Sequence, residues 1–405
     1  MMCEKKSDAA FPKVMADFTA WVVHSAKEKG ISRLYFLARD GWIMYNTAKI
    51  IIERYGIDIE PRYLYCSRMS LRSAALSDIG EEAYRYLLEG GFSLTPRVIL
   101  GRLSLNEEER KRVYADIGFS GSEDTEMGKA AAAQFCGKLR GSEVYNGFIK
   151  AVSRRSKETA AAYLEQEGLL SDTAYAIVDS GWTGSMQRML RVLTGRRQTG
   201  FYFGMYSTPN AEDGDFYTYL FDKGSSPLLV SKFNNHLFEA LCGAPHGMTT
   251  GYAAESGGVV PVLKSEKSIN YGSGLIAAQE REIFRLAKEE NLFPYSEVSV
   301  KERREKAFSL LDSLMYRPDK ETAEKYGSLR FSDDPSELYT FPLAERLDDT
   351  KRLYFIPRLF GKLFKKGAPE QPVYWGYAAA ALSGKGWFCR LNLRLWEVLW
   401  LIKRK

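Results

Sequence analysis

The chain has 405 residues, of which 45% are hydrophobic and 27% charged, a composition typical of a folded protein of about two domains. Its formal net charge of +6 is too small to favour a general nucleic-acid-binding protein. The five cysteines show no CxxC spacing, which argues against a zinc site and a disulfide framework. No stretch of about 18 apolar residues and no apolar leader are present, so we expect a cytoplasmic protein without a membrane-spanning helix.

The first 76 residues are expected to form the first part of an α/β core. Helical spacing of apolar residues over 11–22 is followed by the apolar run 33–38, which indicates a buried strand. This strand leads directly into Arg39, Asp40 and Gly41 and then a helix. An arginine at the carboxyl end of a strand suits an anionic ligand. The alternative is that Asp40 only caps the helix.

A third strand is predicted over residues 62–66, and Arg68 and Arg72 follow it. These two arginines could either bind a phosphate or lie on a solvated helix face. From residue 77 to 170 the pattern becomes helical and rich in alanine, without clear strands. We therefore expect a helical insertion there, placed as a cap over the ends of the strands.

The stretch 174–193 predicts a strand, a tight loop and a helix. An apolar strand ends at Asp179, and the loop that follows contains small or hydroxylated residues, namely Ser180, Gly181, Thr183, Gly184 and Ser185. Glycines allow a loop to turn its N–H groups inward, and a helix N-terminus carries a positive partial charge. The pattern therefore predicts a phosphate-binding loop beside a carboxylate. An ordinary turn between a strand and a helix is the alternative.

Residues 171–274 are expected to complete the core, with further strands over 199–206 and 216–221. Glu239 and His246 lie in a polar stretch whose spacing matches no zinc motif, so polar packing and ligand binding stay open for them. Residues 256–274 indicate a hairpin or linker, and residues 275–405 a helical C-terminal region. The expected fold is α/β, with a Rossmann-like, mostly parallel sheet, a helical insertion and a helical C-terminal region.

The tail from Lys351 to Lys405 carries a local charge balance of +10, and it alternates aromatic with basic residues. Such a segment can lie in the interface of an anionic membrane. The alternative is a helix that packs on the protein. From the membrane interpretation we expect that a chain lacking residues 386–405 still folds but no longer binds anionic vesicles.

Motifs of several common enzyme classes are missing from the sequence, including GxxxxGK[ST], GxSxG, HExxH and DxDxT. What remains is a nucleotide-like or sugar-phosphate site without a covalent nucleophile. Asp179 is expected to bind ribose hydroxyls, the Thr183–Ser185 loop a 5-phosphate and the Arg39–Gly41 turn a pyrophosphate. These are the parts of a phosphoribosyltransferase.

Two segments resemble type I phosphoribosyltransferases. YAIVDSGWTGSMQ is similar to their phosphoribosyl pyrophosphate loop, and LYFLARDG is similar to their pyrophosphate loop. The chain departs from that pattern at Val178, where an acidic residue is usual, and at Met186, where a hydroxyl is usual. Ser185, the residue before Met186, is the neighbouring residue that carries a hydroxyl.

A second resemblance covers nearly the whole chain. The segments FLARDGW, YLYCSRMSLR, VDSGWTGSMQ, GFYFGMY and EALCGAPHGMTTGY resemble the domain that often follows a HAD phosphatase in bacterial polysaccharide gene clusters.

That resemblance implies transfer of a 5-phosphoribosyl group from phosphoribosyl pyrophosphate to a lipid-linked glycan acceptor in O-antigen or capsule synthesis. A separate HAD phosphatase would then remove the 5-phosphate. Mg²⁺ suits the pyrophosphate oxygens, and Asp179 would reach it through the donor and water. Asp40, Glu239 and His246 are candidates for the weak base, and Arg68 and Arg72 for donor binding. A sugar-nucleotide glycosyltransferase and a non-catalytic glycan-binding protein are the alternatives.

Overall fold

The structure is a computed structural model that describes residues 6–78, 81, 84, 94–103, 105–292, 299–333, 337, 339–348, 350–353, 372–384 and 386–404. Its strands are β1 (Arg33–Leu37), β2 (Glu60–Leu64), β3 (Tyr175–Trp182), β4 (Thr199–Met205), β5 (Phe216–Phe221), β6 (Thr249–Glu255), β7 (Gly258–Leu263), β8 (Arg330–Phe331) and β9 (Phe341–Pro342).

The helices are α1 (Lys6–Glu28), α2 (Gly41–Tyr55), α3 (Arg68–Ala75), α4 (Pro96–Gly101), α5 (Glu107–Asp116), α6 (Lys129–Gly141), α7 (Glu143–Gln166), α8 (Ser185–Thr194), α9 (Pro227–Val230), α10 (Asn235–Leu241), α11 (Gly274–Glu289), α12 (Val300–Leu311), α13 (Lys320–Gly327), α14 (Gly376–Leu382) and α15 (Gly386–Arg404). A π-helical turn, Asp312–Tyr316, follows α12, and short 3-10 turns lie at Ala211–Asp213 and Thr350–Leu353.

The centre of the fold is a five-stranded parallel sheet with the order β2-β1-β3-β4-β5. The predicted α/β, Rossmann-like fold is therefore confirmed. Strands of such a sheet are covered by helices on both faces, which explains their continuous apolar runs. Leu34, Phe36 and Val178 pack with α1 and α2, whereas Tyr35 and Ile177 pack with α3, α7 and α8 on the other face.

The end of β3 differs from the prediction. The strand does not stop at Asp179 but continues through Ser180 and Gly181 to Trp182. The physical reason is pairing with β4, since Gly181 and Trp182 stand opposite Gly204 and Met205 in register. The loop before α8 is consequently only Thr183 and Gly184.

The described part of the segment expected to form a helical insertion, residues 94–166, folds into α4 to α7. Helix α7 packs against α3 and against the antiparallel hairpin β6–β7. A hairpin or linker is predicted over 256–274, but the hairpin occupies 249–263, because the Gly/Ser-rich stretch begins only at its turn, after the first strand. None of the helices in the described part of the chain is both long and apolar enough to cross a bilayer.

Candidate functional site

A cavity of about 270 Å³ lies at the carboxyl ends of β1 and β3. Neighbouring strands β1 and β3 are followed by α2 and α8, which pack on opposite faces of the sheet. Ligands of open α/β sheets bind in the crevice at such a switch point, because the loops diverge there. The position of the cavity therefore follows from the strand order.

Of the four carboxylates that line the cavity, three form a cluster: Asp40 directly after β1, Asp179 in β3 and Glu239 on α10. Burial, together with repulsion from Asp40, raises the pKa of Asp179 to about 7. The same two causes raise the pKa of Glu239 to about 7, and burial raises the pKa of Asp40. Carboxylates that repel one another in a half-buried cavity favour a bound cation, which would lower all three pKa values.

Two hydrogen bonds orient this carboxylate cluster. The Ser180 hydroxyl donates to Oδ2 of Asp40 over 2.6 Å, and the Trp182 indole Nε1 donates to Oε1 of Glu239 over 2.5 Å. Asp40 precedes the first residue of α2, but its side chain makes no capping hydrogen bond to that helix. The helix-cap interpretation of Asp40 is therefore wrong, since its carboxylate turns to Ser180 instead.

The other side of the cavity suits an anion. Thr183 and Ser185 line it, and Gly184 precedes α8 with a φ of 72°. Because Gly184 has no side chain to bond the first N–H groups of α8, those groups remain for a ligand. A Cβ at Gly184 would lie 2.9 Å from Cγ of Pro209, so glycine is required on steric grounds too. Arg68, the first residue of α3, is exposed and brings a positive charge to the same cavity.

Arg39 reaches the cavity but is held in an ion pair. Its two terminal nitrogens donate to the two carboxylate oxygens of Glu337, one of them over 3.3 Å. Glu337 also lines the cavity. The peptide bond between Ala38 and Arg39 is cis. A guanidinium binds two oxygens of a phosphate in the same bidentate way as it binds a carboxylate, so the site that Glu337 occupies suits a phosphate as well.

The structure does not bring every predicted residue into the cavity. His246 is outside its lining, and both ring nitrogens are engaged, Nδ1 with the Gly247 carbonyl and Nε2 with the Tyr63 hydroxyl, each at 2.8 Å. Nδ1 therefore carries the hydrogen, and Nε2 accepts one from Tyr63. Burial lowers the pKa of His246, which keeps the ring neutral. The polar-packing alternative for His246 agrees with these contacts.

Gly41 and Arg72 also lie outside the lining. Gly41 is buried at the start of α2, where a Cβ would lie 2.9 Å from the carbonyl carbon of Phe36. Its role is to let α2 pack closely on β1. Arg72 is half-buried on α3, one turn after Arg68. Of the two arginines, only Arg68 faces the cavity.

Trp182 and Glu337 were not predicted as site residues. Trp182 was treated as part of a loop, and its role becomes visible only once β3 is seen to extend to it. Glu337 is separated from Arg39 by 298 residues, and no local pattern connects the two. Asn270 and Arg330 close the cavity from the C-terminal half, and the Asn270 side chain bonds to both the carbonyl and the N–H of the Arg330 backbone.

The cavity fits Mg²⁺ only as an ion brought with a phosphate ligand. Among the described residues, no group of three or more His, Cys, Asp or Glu side chains is arranged to hold a metal ion. Mg²⁺ commonly binds through one or two carboxylates, substrate phosphates and waters. Asp179 and Asp40 can supply that carboxylate contribution.

No model of a known protein family matches the chain, and no curated protein matches it either.

Proposed function

We propose that the protein is a Mg²⁺-dependent phosphoribosyltransferase that uses phosphoribosyl pyrophosphate as donor. The observation that carries this proposal is the cavity at the switch point, in which a carboxylate cluster faces a helix N-terminus and the arginines Arg39 and Arg68. A donor with a phosphate at one end, a diol in the middle and a diphosphate at the other end needs this combination of groups.

Each part of the donor has a matching part of the cavity. The 5-phosphate is placed at the N-terminus of α8, against Thr183 and Ser185. The ribose hydroxyls bond to Asp179, in the strand that leads to this helix. The pyrophosphate lies towards Arg39 and Arg68, on the side of β1 and α3.

Bound Mg²⁺ would neutralise charge on the departing pyrophosphate. The residues of the chain position the donor and stabilise the charge that develops as the bond to ribose breaks. Glu239 is placed to accept the proton of the acceptor hydroxyl. Its pKa of about 7 suits a general base at neutral pH, and the Trp182 indole fixes its orientation. Asp40 is engaged by Ser180 and is better suited to hold the metal.

The acceptor in this proposal is a glycan of a bacterial O-antigen or capsule, as the resemblance of the motifs implies. A separate HAD phosphatase removes the 5-phosphate from the product and leaves ribofuranose. The cavity supports an alcohol acceptor, because its carboxylate cluster offers a base that can take the proton of a hydroxyl.

Location at the inner face of the membrane is part of the proposal, and one face of α15 supports it. Exposed apolar side chains recur along this face, with Trp387 77%, Leu391 48%, Leu395 52% and Ile402 55% exposed. Exposed Leu228 and Leu229 on α9 lie beside it. An apolar face of this kind, with Lys403 near its end, suits the headgroup region of a bilayer.

The opposite face of α15 is part of the hydrophobic core. Cys389 and Leu393 are buried, Glu397 accepts a hydrogen bond from Tyr377, and Arg394 donates one to Tyr316. The expectation that a chain lacking residues 386–405 still folds is therefore wrong, since the deletion would open the core. Point substitutions on the exposed face are the appropriate test.

The enzymatic proposal is tested by incubating the protein with phosphoribosyl pyrophosphate, Mg²⁺ and candidate glycan acceptors, followed by mass analysis of the acceptor. A gain of one phosphoribosyl unit, abolished in Asp179→Asn, is the expected result. Consumption of a UDP- or GDP-sugar in its place would identify a sugar-nucleotide glycosyltransferase. Binding of glycan without turnover of any donor would identify a non-catalytic protein.

A further inference from the structure

A second cavity, of about 570 Å³, lies along β5, the edge strand of the sheet. Tyr217 and Thr218 of β5 form its floor, and α1 and α12 contribute its walls. The volume is within the range of cavities that hold small molecules. Nothing in the donor-binding arrangement uses this cavity.

The lining of this cavity is strongly basic. Lys29, Lys223, Arg303 and Arg304 contribute four positive charges. Asp222 is the one carboxylate among the described residues that line the cavity, and it is paired with Arg304 at 2.8 Å. Neither Lys29 nor Lys223 forms an ion pair within the described part of the chain. The cavity thus keeps a local charge of about +3, which attracts an anion.

Aromatic rings lie against two of these cations. Nζ of Lys29 lies 3.8 Å from the centre of the Tyr217 ring. The guanidinium of Arg303 lies 4.9 Å from the Trp21 ring and 5.3 Å from the Tyr219 ring. A ring orients a cation without cancelling its full charge. The ammonium group of Lys29 is therefore oriented by a ring and still able to bind an anionic ligand.

The basic cavity adjoins the donor cavity on the side of β4. Trp182 lines the donor cavity, and its partner in register, Met205 of β4, lines the basic cavity. Adjacent strands are about 4.8 Å apart, so the two cavities are neighbours. Tyr206, the next residue after Met205, packs against Trp400 of α15 with ring centres 6.2 Å apart.

We infer that the basic cavity binds a second phosphate-bearing ligand, a phosphate monoester or a diphosphate, separately from the donor. Its place beside α15 fits the diphosphate of a lipid-linked molecule, and a free sugar phosphate presents the same chemistry. The inference concerns binding alone, so it holds whether or not the proposed transfer takes place.

Calorimetric titration of the full-length protein with inorganic pyrophosphate tests the inference. We expect two binding sites in the unchanged protein. The variant Lys29→Ala/Lys223→Ala should lose at least tenfold in affinity at one site, and Arg68→Ala should weaken the other. The control Lys27→Ala/Lys306→Ala removes two exposed lysines from α1 and α12 outside the cavity, so it should bind like the unchanged protein.

Equal binding by the Lys29/Lys223 variant and its control would overturn the inference, and so would a single site that the Lys29/Lys223 variant keeps. Replacement of both lysines by arginine should restore binding, because it returns the charges. Titration with a short prenyl diphosphate and with ribose 5-phosphate then distinguishes the sources. Tighter binding of the prenyl compound assigns the cavity to a lipid carrier, and tighter binding of the sugar phosphate to a free metabolite; either result supports the site.

Discussion

The Ser180 hydroxyl donates a 2.6 Å hydrogen bond to Oδ2 of Asp40, and this bond joins the ends of β3 and β1 across 140 residues of sequence. It opposes the effect of burial, which raises the pKa of Asp40, because it favours the charged carboxylate. The bond also turns the carboxylate away from the N-terminus of α2. Ser180 therefore controls both the charge and the direction of a group that faces the donor cavity.

Ser180→Ala should raise the pKa of Asp40 further and weaken its hold on a metal-bound donor. We expect the acid limb of the pH profile of kcat/KM to move to higher pH. Activity at pH 7 should fall about tenfold, because a hydrogen bond to a charged group is lost. Ser180→Thr keeps the hydroxyl and is the control. An unchanged acid limb in Ser180→Ala would show that the bond has no part in activity.

Asp179→Asn should abolish transfer while it stabilises the free protein at alkaline pH. The pKa of Asp179 is raised from 3.8 to about 7 in the folded state, so its contribution favours folding at low pH and is lost as the pH rises through 7. Relative to the unchanged protein, the variant should gain up to about 4 kcal/mol at pH 8 and little at pH 4. Denaturant unfolding at both pH values measures this difference. Asp58→Asn, at an exposed carboxylate before β2, should show no such gain.

Glu337→Gln should strengthen pyrophosphate binding. The Glu337 carboxylate occupies the donors of Arg39, so a pyrophosphate must displace it. Removing the charge should lower the Kd of pyrophosphate about three- to tenfold, and Arg39→Ala should raise it. Calorimetry measures both, with Glu324→Gln on the exposed surface of α13 as control. If neither variant changes the Kd, Arg39 serves the fold and not the ligand.

Gly181→Ala should destabilise the sheet beneath the cavity. Gly181 has a φ of 115°, and a Cβ there would lie 2.3 Å from the carbonyl oxygen of Gly204 in β4. We expect a loss of about 2–4 kcal/mol in the free energy of unfolding. Gly137→Ala is the matched control, because Gly137 lies in α6 with open space around it and should gain about 0.5–1 kcal/mol. Equal effects of the two substitutions would contradict this assignment.

Leu391 and Leu393 of α15 should separate membrane binding from folding. Leu393 is 1% exposed, so Leu393→Ala should cost about 2–5 kcal/mol of stability. Leu391 is 48% exposed, and Leu391→Ala together with Trp387→Ala should leave stability within about 0.5 kcal/mol but reduce sedimentation with anionic vesicles. Vesicle binding that survives the Leu391/Trp387 pair would contradict the membrane proposal.

The strands could be predicted where burial on both faces makes them continuous apolar runs. The predicted bounds of β5, 216–221, equal those in the structure, and the predicted bounds of β1 and β4 differ from the structure by one residue at one end. Asp40 and Asp179 could be expected to meet, because both follow apolar runs of one parallel sheet. The end of β3 could not be predicted, since Gly181 is a turn former in most sequences, whereas here its lack of a side chain lets the Gly204 carbonyl of β4 approach closely.

The partners of the site residues were beyond prediction for another reason. Trp182 contacts Glu239, and Glu337 contacts Arg39. Both contacts form only after segments that are distant in sequence have packed together. His246 shows the reverse case, because its polar neighbours in sequence suggested a ligand site, whereas aromatic rings from α2 and β2 surround it.

The order of the strands also dictates when the sheet can close during synthesis. Strand β1 can pair with β2 after only 27 further residues, but its other edge faces β3, which follows 142 residues later. Helices α4 to α7 are made in this interval, while one edge of β1 stays open. Open strand edges are sites of association between chains. We therefore expect nascent chains that have not yet reached residue 175 to depend most on chaperones, and β3 to be the step that commits the protein to its fold.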